Sequence, residues 1–195
     1  MEGVCCHRLE EAVQDGWEKV RAEHVKEHRA GMEQCSFTMP DTHADLPTEQ
    51  RIRAFAENKG GDDGLIALFF QYGRYLIFNS SRSDSVVPAA LQGVWNDDRA
   101  CRMEWTDDMH LDINTQMNYY PAENTGLGEC VQPLFRWIKD ALVPHGKKMA
   151  RELYGKEGWC AHTVSNAYGW AAPGWDVGWG FAISGGSWIT LPIWE

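Results

Sequence analysis

His110, Asp112, Asn114, Gln116 and Asn118 occupy every second position of one short stretch, HLDINTQMNYYPAEN, residues 110–124. An imidazole, a carboxylate and three carboxamides are donors and acceptors of fixed length, unlike the flexible Lys and Glu of an ordinary solvated face. A carboxylate beside neutral amides can orient a water and take its proton, or grip the hydroxyls of a neutral polar ligand. Period two favours an extended segment with alternate side chains on one face, which would stand His110, Asp112 and Asn114 side by side. A half-buried strand or loop that turns its polar face to solvent also accounts for the pattern.

Other stretches offer less. His24-Val25-Lys26-Glu27-His28 fits H-x-x-E-H, which on a helix sets two imidazoles on one face as for zinc, but no third ligand is evident and the segment is a charged amphipathic helix. Gly60–Gly64, GGDDG, follows no strand and lacks the Lys of a phosphate loop, so it reads as a linker. No G-x-S-x-G elbow occurs. The six cysteines, Cys5, Cys6, Cys35, Cys101, Cys130 and Cys160, form neither a disulfide framework nor a CxxC knuckle and read as free thiols. No metal and no cofactor is expected.

The elements that must position these residues are helical. Leu9, Val13, Trp17, Val20, Val25 and Met32 are spaced like one face of a long amphipathic helix. A polar loop with Pro40 and Pro47 follows, and LPTEQRIRAFAEN restarts a helix with Thr48 as its N-cap. Leu65–Phe78 is apolar nearly all round, as in a helix buried on most sides. Glu129–Tyr154 is helical, bent near Pro144 and closed by Gly155. The tail from Gly158 is rich in Gly, Trp and Ser and turns helical from Gly186. An all-α domain with long, aromatic-rich loops is expected.

Bulk properties narrow the class. The 195 residues are 44% hydrophobic and 24% charged, which suits one globular domain, or two. A net charge of −10 without a Lys/Arg cluster argues against a nucleic-acid partner. No apolar run approaches the roughly 20 residues of a spanning helix, so no membrane partner is expected. The N-terminal residues lack the apolar core of a signal peptide, which leans toward the cytoplasm unless the N-terminus is itself a truncation. Ten tryptophans, seven of them at or after Trp137, are the anomaly of composition.

LFFQYGRYLIFNSSR (68–82), LQGVWND (91–97), LDINTQMNYYPAENTGL (111–127), GWCAHTVSNAYGWAAP (158–173) and SGGSWITLPIWE (184–195) together resemble glycoside hydrolase family 95. The order and spacing of these blocks match that family throughout residues 46–195. The resemblance implies an inverting 1,2-α-L-fucosidase, or in some members an α-L-galactosidase. It implies an (α/α)6 barrel flanked by β-domains. Residues 1–45 would be a lead-in helix and loop, and residues 46–195 about the first half of the catalytic barrel, truncated at its C-terminus.

The family activates water with two asparagines two residues apart, polarised by a distant aspartate. The pair falls at Asp112 and Asn114, and Asp112 replaces the first asparagine. Asp112 then becomes a direct general base or a binder of the sugar or water, while Asn114 carries over unchanged. His110 leans toward fucose, whose C6 is a methyl, over galactose, whose C6 bears a hydroxyl. Sugar rings offer an apolar face and a rim of hydroxyls, so indoles and phenols beside fixed polar groups suit them. Trp95, Tyr119, Trp170, Trp175 and Trp188 are candidate walls, with Asn118 and His162 as further sugar contacts. Thr163 and Asn166 depart from the family's His and Asp.

The family's general acid, in a Ser-Pro-Glu-Asn-like stretch, is expected beyond Glu195. Glu104, Glu123 and Glu195 do not match it, and Glu123 reads as structural. The isolated chain is therefore expected to be inactive, with a fucosylated oligosaccharide or glycan as partner and self-association through exposed apolar faces. The alternatives are a non-catalytic carbohydrate-binding remnant of the same fold and an α-L-galactosidase.

Overall fold

The computed structural model describes residues 2–95, 102, 107–174 and 176–194. The chain divides into two compact units, Met1–Ser36 and Phe37–Glu195. The first is a pair of helices, α1 (Glu2–Asp15) and α2 (Trp17–Met32). The expected single helix is broken at Gly16, whose φ of 77° is open to glycine and strained for other residues. His24 and His28 lie one turn apart on α2, and among the described residues no third metal-ligating side chain joins them.

The second unit begins with α3 (Thr48–Asn58) and α4 (Asp63–Ser80). Thr48 is the first helical residue; Pro47 holds the cap position, with its fixed φ leading into the helix. The helix stops at Lys59, in the left-handed region at φ 55°. GGDDG is more than a linker. Asp62 accepts from the Leu65 amide at 2.9 Å and so caps α4. It also receives both arms of the buried Arg51, from Nε at 2.9 Å and Nη2 at 2.8 Å. Arg51 reaches Asp41 as well, at 3.0 Å. The forked guanidinium thereby fastens α3, the preceding loop and the start of α4 together.

Helix α4 is not buried on most sides. Arg74, Ile77 and Phe78 face inward, whereas Leu68, Phe69 and Tyr72 are exposed, Phe69 at 77%. The inward face is fixed by polar anchors. The buried Arg74 donates to the Thr125 carbonyl at 3.1 Å and to Gln71 at 2.9 Å. Past the helix, Ser81 donates to the Cys130 carbonyl at 2.8 Å.

Two two-residue strands, β1 (Met109–His110) and β2 (Val164–Ser165), pair antiparallel with Met109 opposite Ser165 and His110 opposite Val164. After a turn come α5 (Asn114–Tyr119) and α6 (Pro121–Asn124). A 3-10 turn, Gly128–Val131, leads into α7 (Gln132–Trp137) and α8 (Val143–Tyr154). The π-helical turn Ile138–Leu142 joins those two. Pro144 has no N–H to give and its ring crowds the carbonyl four residues back, so the widened turn takes up the mismatch. Gly155, at φ 61°, ends α8 as expected.

The tail carries three short helices, α9 (Val177–Gly180), α10 (Gly185–Trp188) and α11 (Leu191–Trp194). Gly185 and Gly186 let α10 pack closely on Leu111 and on the segment 159–162. A Cβ on Gly186 would meet the Ala161 nitrogen at 2.8 Å, and one on Gly185 the Leu111 carbonyl at 3.0 Å. The core gathers Leu111, Leu134, Leu142, Ala161 and Ile189, all at 0% exposure. Among the described residues the architecture is all-α, and no helix is long and apolar enough to cross a membrane.

Candidate active site

Extended backbone ends at His110. Residues 111–113 form a turn, and Asn114 opens α5, so the alternating stretch does not present one polar edge. Burial follows the helix instead of hydropathy. Gln116 is fully buried, while Ile113 and Met117 are 47% and 51% exposed. Gln116 goes inside because its Nε2 donates to the Leu111 carbonyl at 2.8 Å, closing the turn that carries Asp112. Asn114 and Asn118 share a face of α5, one turn apart.

His110 is buried behind this turn. Its Nδ1 donates to Asp108, and its ring lies 5.4 Å from that of Trp179. Burial raises the Asp108 carboxyl above the ordinary range, an effect opposed by the hydrogen bond from His110 and reinforced by Asp107 and Asp112. Three buried side-chain acceptors here have no partner among the described residues: Asp108 Oδ2, Asp112 Oδ1 and Gln116 Oε1. Ser165 Oγ, on the paired strand, is a fourth unpartnered atom. Buried oxygens without donors are unfavourable unless something supplies hydrogens. Donors of hydroxyl type, from water or a sugar, answer that need.

The loop at 89–93 forms a neighbouring wall. Asp107, itself left-handed at φ 55°, accepts from the Gln92 amide at 2.7 Å, and Asn118 donates to the Ala90 carbonyl at 3.1 Å. Burial raises the Asp107 carboxyl as well. Gly93, at φ 70°, bends the loop so that the Trp95 ring lies over it; a Cβ there would come within 2.5 Å of that ring. Trp95 and Asn118 line one cleft of about 650 Å³ together with Met117 and Gln92. Trp188 belongs to another contact, donating to the Tyr120 hydroxyl at 2.7 Å.

Two expected sugar contacts prove to be internal. Tyr119 is 2% exposed; its hydroxyl is shared with Ser81 at 2.7 Å and accepts from the Ala89 amide at 2.8 Å. Burial drives that phenol up to about 12. His162 is fully buried between the Ala171 carbonyl, 2.6 Å from Nδ1, and the Tyr154 hydroxyl, 2.7 Å from Nε2. A carbonyl only accepts, so Nδ1 carries a proton and donates it to Ala171. Both rings are occupied in holding loops together. Trp170 stands apart in a separate cleft against α8. Trp175, Glu104 and Glu195 lie outside the described residues, and Glu123 is exposed on α6.

Sequence reasoning missed Asp108, Asp107 and Trp179. Asp107 and Asp108 immediately precede β1 in DDMH, and an acidic pair next to a strand-borne His was the available signal.

Comparison with known proteins identifies the family. Residues 16–195 match the glycosyl hydrolase family 95 catalytic domain. The chain is 34% identical over 200 residues to "Alpha-L-fucosidase 2" of Arabidopsis thaliana, covering 98% of this chain and 23% of that protein. It is 32% identical over 187 residues to "Probable alpha-fucosidase A" of Aspergillus niger, covering 94% and 23%. The corresponding protein of Aspergillus oryzae is 38% identical over 154 residues, covering 77% and 21%. The chain thus spans about a quarter of the length of the curated relatives it matches. With an all-α fold and a match along nearly its whole length, the chain belongs to glycosyl hydrolase family 95, a family of (α/α)6 barrels, through its catalytic domain.

Proposed function

We propose that residues 107–118 form the water-activating side of an inverting exo-α-L-fucosidase site for terminal α-1,2-linked L-fucose. The observation that carries this reading is the group of buried oxygens with no partner among the described residues, Asp108 Oδ2, Asp112 Oδ1 and Gln116 Oε1, around His110 and the start of α5. Inversion needs a base for the attacking water and an acid for the leaving oxygen. Asp112, half-buried with one oxygen unpartnered, takes the proton as water adds to the anomeric carbon. Asn114 orients that water through its amide oxygen, which accepts but is too weakly basic to deprotonate alone. His110, buried against Asp108 and Trp179, backs the turn that carries Asp112 and so shapes the space for the sugar's C6 methyl. Trp95 and Asn118 line the approach.

Among the described residues none is assigned as the proton donor to the leaving oxygen. On this reading the chain alone is expected to bind L-fucose and to release none from a Fucα1-2Gal oligosaccharide. Calorimetric titration with L-fucose, run beside a fucose-release assay, tests this. Saturable binding without turnover is expected. Absence of binding contradicts the site, and turnover above the blank contradicts the missing acid.

A further inference from the structure

A second cleft, of about 340 Å³, lies between one face of α8 and the loop after β2. Its walls include His145, Lys148 and Glu152 from the helix, and Asn166, Tyr168 and Trp170 from the loop. The helix residues recur at i, i+3 and i+7, so they share one face. Tyr168 is 82% exposed and Trp170 52%, an unusual outlay of two large rings in one five-residue loop.

That loop is built to hold them outward. Asn166 Oδ1 accepts from the amides of both Tyr168, at 2.9 Å, and Trp170, at 3.3 Å. The Asn166 carbonyl takes the Trp137 indole hydrogen at 3.1 Å. Gly169, at φ 76°, presses its backbone onto the π-turn, where a Cβ would stand 2.4 Å from the Ala141 carbonyl carbon. No other residue fits that contact, so the two rings flank a fixed point. A rigid aromatic pair loses little freedom when a ligand docks.

We propose that this cleft is a subsite for one neutral pyranose of a glycan, separate from the Asp112–Asn114 site. A pyranose offers an apolar C–H face for an indole or phenol and hydroxyls for side chains at its rim. Lys148 and Glu152 balance in charge and give no preference for an anion. Among the described residues neither is held in an ion pair, so both are available to hydroxyls. The volume lies at the small end of ligand sites, room for a single ring rather than a chain. A nucleobase would also stack, but the net charge of −10 opposes a nucleic acid. The ligand class rests on the family membership, and the assignment does not depend on the roles proposed for Asp112 and Asn114.

Titration of the chain with methyl β-D-galactoside and with methyl α-L-fucoside, followed by NMR of the tryptophan indole and tyrosine ring signals, tests it. Saturable shifts at Trp170 and Tyr168 are expected with at least one glycoside, and the affinity read at Tyr168 should weaken about tenfold in Trp170→Ala. Should that variant lose its fold by circular dichroism, Lys148→Ala and Glu152→Ala on the exposed helix face serve instead, each weakening the same shifts. Shifts confined to His110, Trp179 and the α5 residues overturn this subsite while leaving the proposed function intact. Shifts at Trp170 and Tyr168 alone support the subsite and count against that function. No shift at Trp170 or Tyr168 with either glycoside overturns the subsite.

Discussion

Gln116 Nε2 donates to the Leu111 carbonyl at 2.8 Å, with both residues fully buried. This bond closes the turn between β1 and α5, and the turn decides where Asp112 and Asn114 project. Gln116→Leu leaves the Leu111 carbonyl buried without a donor. A loss of about 1–3 kcal/mol in urea unfolding is expected, together with weaker L-fucose binding. Unchanged binding in a destabilised but folded Gln116→Leu variant would separate the turn from the site.

Tyr119 is a core residue whose hydroxyl serves Ser81 and the Ala89 amide. Tyr119→Phe strands the buried Ala89 N–H and is expected to cost about 1–3 kcal/mol in denaturant unfolding. L-fucose affinity should be retained in the folded variant, because the phenol does not reach the cleft. A large affinity loss at unchanged stability would restore Tyr119 to the pocket wall.

The contrast between these residues explains what the sequence made legible. Helices α3, α4 and α8 follow from apolar spacing and from Gly155, since those signals are local. The π-turn before Pro144 was marked by the proline that causes it, whereas the break at Gly16 was not read, because the apolar spacing runs straight across it. The alternation at 110–118 misled because hydropathy stood in for burial. Gln116 is buried for a hydrogen bond to a carbonyl five residues earlier, and Met117 is exposed despite being apolar. A polar side chain with one specific partner looks the same in sequence as one facing solvent. Arg51 and Asp62, eleven residues apart, were equally silent, because their pairing depends on how α3 and α4 pack. The resemblance drew His162 and Tyr119 together with Asp112 and Asn114, and did not separate side chains held inside the fold at their polar atoms from those that a ligand can touch.

Asp62 gives a pH signature. Its hydrogen bonds from Arg51 hold the carboxyl down at about 2, against about 3.9 in an unfolded chain. A carboxyl lowered on folding stabilises the protein fully above the unfolded value and loses that contribution as pH falls through the folded one. Wild-type stability should therefore drop between about pH 4 and about pH 2. Asp62→Asn keeps a competent cap for α4 but should lack this part of the acid transition. Acid titration followed by circular dichroism checks it, and coincident curves for the two proteins would contradict the account.

His110 is expected to set C6 preference. L-fucose and L-galactose differ only in a methyl against a hydroxymethyl there, so His110→Thr should move the ratio of their affinities toward L-galactose by about tenfold. Calorimetry on both sugars reads that ratio. A constant ratio would remove His110 from the specificity argument and leave it as a buried partner of Asp108 and Trp179.

The most direct test of the central claim is to locate L-fucose on the chain by NMR, reading the Asn114 side-chain amide and the His110 imidazole in the wild type and in Asp112→Ala. The account predicts saturable shifts of both signals in the wild type and their loss in a folded Asp112→Ala. Fucose binding that leaves the Asn114 amide and the His110 ring unmoved would contradict it.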